Sequence, residues 1–370
     1  MTIDVNAAFD SGNIELVAID GDRVDLNIRR DAGSDFYQWF HFRVSGAKGR
    51  TLTFRLLNAG GAAYAFGWPG YRPRVSGDRA HWAMVGASTY NDGVLTFSHA
   101  VKQDVVWFAY FAPYSMERHQ DLVARIAAAD GVSHRTLGHS LDGQAIDCFD
   151  LGTGTRQVWI YARQHPGESM AEWFMEGALE ALTDADDPVA VALREKATIH
   201  LVPNMNPDGS RRGHLRTNAA GVNLNREWHS PSAERSPEVL CVRDAMDATG
   251  VDWAIDVHGD EAIPANFLAG YEGIPSWTDE HGERFYDYQR RLAAATPLFQ
   301  TEQGYDKAPA GRANLAMSTN QLAERFGAVS MTLEMPFKDH DPSPDPVEGW
   351  SPDRSKALAR ACLKVLADVI

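Results

Sequence analysis

The chain has 370 residues, enough for two hydrophobic cores, and its 44% hydrophobic and 23% charged content excludes a disordered chain. A formal net charge of −15 argues against nucleic acid as the main partner, because phosphate binding needs a basic surface. No apolar run is long enough for a membrane span, the acidic start MTIDVNAAFDSGNIELVAIDGD lacks the regions of a signal peptide, and Cys148, Cys241 and Cys362 are too scattered for a disulfide framework or a thiolate metal site, so a cytoplasmic protein with neither membrane nor nucleic-acid partner is expected.

In chain order, residues 24–29 (VDLNIR), 39–44 (WFHFRV), 51–57 (TLTFRLL), 94–97 and 105–110 are short alternating or aromatic runs between Gly, Pro, Asn and Asp turn signals. They predict an antiparallel β-sandwich. The pattern changes near residue 115. Residues 118–129 have helical periodicity through Leu122, Val123 and Ile126. Strands over 157–162, 198–202, 253–257 and 329–333 then alternate with helices over 168–182, 237–246, 279–295 and 355–369. Such alternation predicts an α/β domain with helices on both faces of a mainly parallel or mixed sheet. The expected division is 1–118 for the sandwich and 119–370 for the α/β domain.

Three segments carry candidate chemistry. In HPGE, residues 165–168, His165 closely follows the strand QVWIYA and Glu168 opens the next helix. Imidazole nitrogen and carboxylate oxygen suit zinc, and α/β sheets place ligands at such strand ends. An HxxE on its own is more readily read as helix-start chemistry, with the acid favoured by the dipole. In DVHGD, residues 256–260, His258 ends another apolar strand. Two His and one Glu make the three-ligand set of a catalytic zinc with a fourth position for water. Asp256 shares the face of His258 by period-two alternation and either orients that ring or is a buried hydrogen-bonded carboxylate. In TLEMPF, residues 332–337, Glu334 follows an apolar strand and is a candidate general base. Between them, residues 206–228 form a polar stretch rich in Asn, Gly and Arg, which suggests a binding loop. Arg216, Asn225 and Arg226 stand out there, since guanidinium forks capture carboxylates and stabilise oxyanions, whereas Arg211 and Arg212 read as solvated charges.

HPGE, NPDG, LNREW, HG and TLEMPF, in that order, resemble the carboxypeptidase A-like zinc peptidases. FDSGN near the start, QWFHFRVSG (38–46) and DVVWFAYFAPYS (104–115) resemble the N-terminal domain of the cytosolic carboxypeptidase subfamily, and the compact length is similar to its short bacterial members. The resemblance implies a β-sandwich followed by a zinc carboxypeptidase domain. It implies one Zn²⁺ per chain on His165, Glu168 and His258, Glu334 as the catalytic glutamate and Arg216 as oxyanion-stabilising. It implies Asn225 and Arg226 as the binders of the free C-terminal carboxylate of a peptide or protein substrate. Subfamily members that remove C-terminal glutamates extend the expectation to acidic tails, with Lys307, Arg312 or Arg325 supplying the basic residue. Asn223 stands where many relatives have an aspartate, and Asp260 where eukaryotic members of the subfamily usually have histidine. Tyr271 and Tyr305 are candidates for the substrate-binding tyrosine. An amidase of small acyl-amino acids and an inactive peptide-binding relative are the alternatives.

Overall fold

The structure is a computed structural model and describes residues 2–370. The first part of the chain builds two five-stranded sheets. One joins, in spatial order, Asp4–Asn6, His41–Ser45, Val105–Ala109, Arg74–Ser76 and Ala83–Met84; the other joins Glu15–Asp20, Arg23–Asn27, Thr51–Leu56, Val94–Ala100 and Ser88–Asn91. Thr51–Leu56 buries alternate residues, as period-two side chains require of a strand with one face covered. The two inner faces meet through Phe42 and Phe108 from one sheet and Phe54 and Phe97 from the other, with ring centroids 4.7–5.8 Å apart. Each buried phenyl contributes roughly 1.5–3 kcal/mol relative to exposure.

The sandwich departs from the all-antiparallel expectation at one place, where Arg23–Asn27 pairs parallel with Thr51–Leu56. The chain between them passes through His41–Ser45 in the opposite sheet, and such a crossover is what allows parallel pairing. The strand Glu15–Asp20 was not expected. It is an edge strand exposed at every position, so it carries no alternation to detect.

The helix Met116–Ala127 leads into the second part, its first turn capped by Ser115 Oγ, which accepts from the Arg118 N–H. A seven-stranded mixed sheet follows, ordered Val132–His139, Ala145–Leu151, Ala197–Val202, Arg156–Ala162, Trp253–Asp260, Val329–Pro336 and Phe267–Ala269. Its four middle strands are parallel and its margins antiparallel. Trp253, Ile255 and Val257 pack into one core with the helices Met170–Thr183 and Pro352–Val369, while Ala254 joins Trp159 and Tyr161 in a second core under Pro237–Thr249 and Ser318–Phe326. Helices on both faces explain why Trp253–Asp260 and Val329–Pro336 are buried at every position.

A buried ionic chain ties the helix Met116–Ala127 to this sheet. His119 Nδ1 lies 2.6 Å from Glu172 and its Nε2 3.2 Å from Asp147, which also meets His134 Nε2 at 2.7 Å. Burial alone would depress the His119 pKa, but the two carboxylates outweigh it and raise it to about 9. A histidine whose folded pKa exceeds its unfolded value stabilises the fold fully below the unfolded pKa and loses that stabilisation as pH rises through the folded one. Chemical denaturation across pH should therefore show stability falling between about pH 6.5 and 9 by on the order of 3 kcal/mol, with His119→Gln less stable at pH 6 and flatter over that window. An unchanged slope in that variant would rule the His119 pair out as its source.

Candidate active site

The parallel strands bring the candidate residues to their carboxyl ends. Arg156–Ala162 and Trp253–Asp260 lie side by side in register, Ala162 opposite Val257. Trp253–Asp260 and Val329–Pro336 place His258 directly opposite Glu334. Adjacent residues in a sheet project to the same face, so both point into one cleft.

After Ala162 the chain turns sharply. Arg163 adopts φ +61°, a left-handed conformation unusual for a non-glycine residue and costing on the order of 1–3 kcal/mol. Its buried side chain holds the turn: Nη1 donates to Tyr114 O at 2.8 Å and to Glu172 Oε2 at 2.5 Å, and Nε to Pro166 O at 3.1 Å. Gly167 packs against Leu215, whose carbonyl it bonds at 2.9 Å and would meet at 3.0 Å with a Cβ. The helix begins at Met170 rather than at Glu168, which leaves the Glu168 side chain free to enter the cleft.

His165 Nδ1 is 2.7 Å from Glu168 Oε1, His258 Nδ1 is 2.7 Å from Glu168 Oε2, and the two Nδ1 atoms are 3.0 Å apart. All three side chains are buried. Among the described residues they form the one cluster of His, Cys, Asp and Glu donors arranged to hold a metal ion.

The outer nitrogens are engaged by acceptors. His165 Nε2 lies 3.0 Å from Asn223 Oδ1, whose identity as the oxygen is set by the Asn225 N–H that also donates to it at 3.0 Å. His258 Nε2 lies 2.8 Å from Asp256 Oδ2, which also accepts from Gln164 Nε2 at 2.7 Å; Gln164 is held the right way round by the Trp228 indole N–H on its Oε1 at 2.8 Å. With each Nε2 donating outward, each neutral ring turns the Nδ1 lone pair inward. Two lone pairs and a carboxylate facing one another at these distances repel unless a cation sits between them, and the N, N, O set suits zinc. Burial depresses the His165 pKa to about 4, with Arg216 adding to the effect. Burial would raise that of Glu168, but the two imidazoles outweigh it and hold the carboxyl below its usual range.

The remaining candidates line the same cleft of about 450 Å³. Glu334 Oε1 lies 3.2 Å from the Tyr305 hydroxyl oxygen, and its Oε2 has no hydrogen-bond partner among the described residues. Burial pushes its carboxyl well above the ordinary range, the charges of Glu168 and Asp260 adding to the effect against His258. Arg216 Nη1 is 3.5 Å from His165 Nδ1 and 3.8 Å from Glu168 Oε1. Asn225 Oδ1 accepts the Ser318 N–H at 2.9 Å. Arg226 has no carboxylate partner among the described residues, and burial with the nearby Arg216 lowers its pKa. Residues 206–228 are more ordered than a plain loop: Asn206 caps the short helix Pro207–Arg212, which ends at Gly213 with φ +71°.

Of the two tyrosines, Tyr305 lies in the cleft and donates to Asp260 Oδ2 at 2.7 Å, whereas Tyr271 is fully buried and bonds His281 O at 2.8 Å. Asp260 also caps the Ala262 and Ile263 N–H groups at 2.8 and 2.6 Å. Of the three basic candidates for an acidic pocket, Arg325 is spent on Asp247 through two bonds of 2.7 Å. Lys307 and Arg312 line a groove of about 710 Å³ that shares Tyr305, Met317 and Asn320 with the cleft; Lys307 is occupied by Tyr286 at 2.7 Å and Glu272 at 3.6 Å, while Arg312 has no ion pair among the described residues. Tyr64, Phe66 and Glu261 also line the cleft and were not anticipated. The available signal was AYAFGWPG, residues 63–70, aromatic in a segment whose Gly and Pro mark it as loop.

Known proteins resemble this chain in sequence and fold. The model of the cytosolic carboxypeptidase N-terminal domain matches residues 5–111, and that of zinc carboxypeptidase matches residues 121–269. A metallo-carboxypeptidase from Burkholderia cenocepacia is 43% identical, with TM-score 0.97, 99% of each chain being covered. A metallo-carboxypeptidase from Pseudomonas aeruginosa, solved in complex with (2-guanidinoethylmercapto)succinic acid, is 45% identical with TM-score 0.96, covering 99% of this chain and 98% of that one. Human cytosolic carboxypeptidase 1 is 28% identical over 283 residues, which are 63% of this chain but 23% of that protein. No described helix is long and apolar enough to cross a membrane. Neither the amidase nor the inactive alternative finds support among these relatives. A chain that matches the bacterial enzymes over nearly its whole length, and that folds as they do, belongs to the zinc carboxypeptidase family, with the N-terminal domain of its cytosolic carboxypeptidases, and is a hydrolase acting on peptides.

Proposed function

We propose that this carboxypeptidase binds one Zn²⁺ per chain through His165, Glu168 and His258 and removes residues from the free C-terminus of peptides or proteins in the cytoplasm. The observation that carries this is the inward convergence of both Nδ1 lone pairs on the Glu168 carboxylate. A zinc ion held there would supply Lewis acidity for the scissile carbonyl and for water.

The chain's own residues do the rest. Glu334 takes the proton of the attacking water and returns it to the leaving amine. Its unpartnered Oε2 and its burial, which raises the carboxyl above the ordinary range, support this role, since a more basic carboxylate is a better proton acceptor. Arg216, beside His165, stabilises the oxyanion of the tetrahedral intermediate. Arg226 and Asn225 bind the terminal carboxylate. An unpaired guanidinium beside a second one favours an anion, and the dicarboxylate held by the Pseudomonas relative has the chemistry such a corner would take. Asp256 and Asn223 keep the two imidazoles in the tautomer that presents Nδ1.

The finer reading is that the residue removed is acidic, glutamate in particular. Its support is Arg312, free of ion pairs in the groove that opens off the cleft, together with the glutamate-removing members of the subfamily it resembles. Lys307 contributes less because Tyr286 and Glu272 already hold it.

Zinc-loaded protein incubated with peptides differing only in the last residue (Glu, Asp, Lys, Phe, Leu) should release that residue, glutamate fastest, as followed by mass spectrometry. Glu334→Gln should keep its zinc and lose about 10²–10⁴-fold in kcat; wild-type turnover in that variant would remove Glu334 from the chemistry, and a preference for Phe or Leu would remove the acidic assignment. Arg226→Ala should raise KM about 10- to 100-fold for free C-termini and little for amidated ones. Equal effects on both would contradict its carboxylate role. Asp256→Asn should weaken zinc binding about 10- to 100-fold in competition with a chelator, and unchanged affinity would show that Asp256 does not tune the ligand.

A further inference from the structure

The peptide that carries Arg216 is held by a residue far from it in sequence, in the N-terminal β region. Asp31 lies in the segment between the strands Arg23–Asn27 and His41–Ser45 and is buried. Its carboxylate accepts four hydrogen bonds from a single tripeptide: the backbone N–H of Leu215 at 2.7 Å, of Arg216 at 2.8 Å and of Thr217 at 2.9 Å, and the Thr217 hydroxyl at 3.0 Å. The flanking backbone is gripped as well. Ala32 N–H donates to His214 Nε2 at 3.0 Å, and Asn13 Nδ2 donates to Gly213 O at 2.8 Å. The side chain of Arg216 is then walled by two rings from the same region, with its guanidinium carbon 5.9 Å from the Phe36 ring centre and 5.4 Å from that of Tyr64. So held, its Nη1 sits 3.5 Å from His165 Nδ1.

The physical content is pre-organisation. Arginine has a long side chain with considerable rotamer freedom. An oxyanion donor stabilises a transition state only if it is already in place when the charge develops. A charged acceptor with three N–H groups on it fixes consecutive peptide planes, and charge-assisted bonds of this kind are about twice as strong as neutral ones. The two nearby aromatic rings restrict the guanidinium without supplying a carboxylate that would neutralise it.

We propose that Asp31 is a positioning residue for peptide hydrolysis: with Phe36 and Tyr64 as walls, it holds Arg216 in register with His165, Glu168 and His258, which makes the N-terminal β region a working part of the active site. This rests on the assignment of Arg216 to the oxyanion. Asp31→Asn is nearly isosteric but turns an NH₂ donor toward backbone donors, so it loosens the tripeptide without emptying the space.

The test is a double-mutant cycle on the zinc-loaded full chain, with kcat and KM read for one peptide and metal content checked for every variant. Arg216→Ala alone should lower kcat by about 10²–10³-fold. Asp31→Asn alone should lower kcat by about 10- to 100-fold, the scale of an approximately 1 Å misplacement, with KM within about twofold. In the Arg216→Ala background Asp31→Asn should add less than about twofold. A loss from Asp31→Asn that persists at the same factor without Arg216, or no loss at all, overturns the inference and leaves the role of Arg216 standing. Full activity of Arg216→Ala overturns the oxyanion assignment itself and the inference with it. Should Asp31→Asn not fold, Phe36→Leu and Tyr64→Leu keep the carboxylate bonds intact and enter the same cycle: several-fold kcat losses that disappear without Arg216 support the positioning role, and losses independent of Arg216 reject it.

Discussion

Two imidazole lone pairs and a carboxylate converge within 3.0 Å of one another inside a protein core, an arrangement that repels itself unless a cation is shared. Much of the surrounding structure can be understood as maintaining that convergence. The parallel strands set His258 opposite Glu334 and bring Ala162 alongside Val257. The left-handed turn at Arg163 swings His165 and Glu168 over the strand ends, and the strain of that turn is offset by a guanidinium bonded to Tyr114, Pro166 and Glu172. Asn223 and Asp256 engage the outer nitrogens, so that each ring, when neutral, presents its Nδ1 lone pair inward.

The amide at Asn223 and the carboxylate at Asp256 are not equivalent supports. An amide oxygen orients His165 but adds no charge, whereas Asp256 also makes its imidazole more basic. Burial would lower the His258 pKa, but Asp256 and Glu168 together raise it well above its ordinary value. The two rings thus share a site while differing in electrostatic character. Glu168 and Asp256 supply the negative charge in direct contact with the two rings.

The net charge of −15 would discourage an anionic chain terminus from approaching, yet the cleft contains Arg216 and an unpaired Arg226. At contact distance in a partly desolvated cleft, local guanidinium groups outweigh a field that salt screens beyond about 8–10 Å. The walls of that cleft come from both parts of the chain. Phe66, 69% exposed at its mouth, is edge-on to Tyr64, and both belong to the β region. The same region reaches past Glu334, where buried Arg74 donates to the carbonyls of Phe337 at 2.9 Å, Lys338 at 2.8 Å and Trp350 at 3.2 Å. Such bonds couple the sandwich to the strand carrying Glu334.

What the sequence determined by itself was whatever short segments encode locally. HPGE, DVHGD and TLEMPF each sit at the end of an apolar strand, so periodicity alone places their His and Glu at strand ends, and the helix over residues 279–295 is legible from its pattern and its Thr278 cap. The edge strands Glu15–Asp20 and Val132–His139 were not legible, because one is exposed throughout and the other is mostly polar and interrupted by a register shift. Contacts between distant segments were decided only by the tertiary structure: Asp31 meets Arg216 across 185 positions, Tyr305 rather than Tyr271 reaches Glu334, and Arg325 is spent on Asp247 instead of the cleft. A side chain's type and strand position follow from local pattern, but its partner depends on how sheets stack and loops dock, which no local periodicity records.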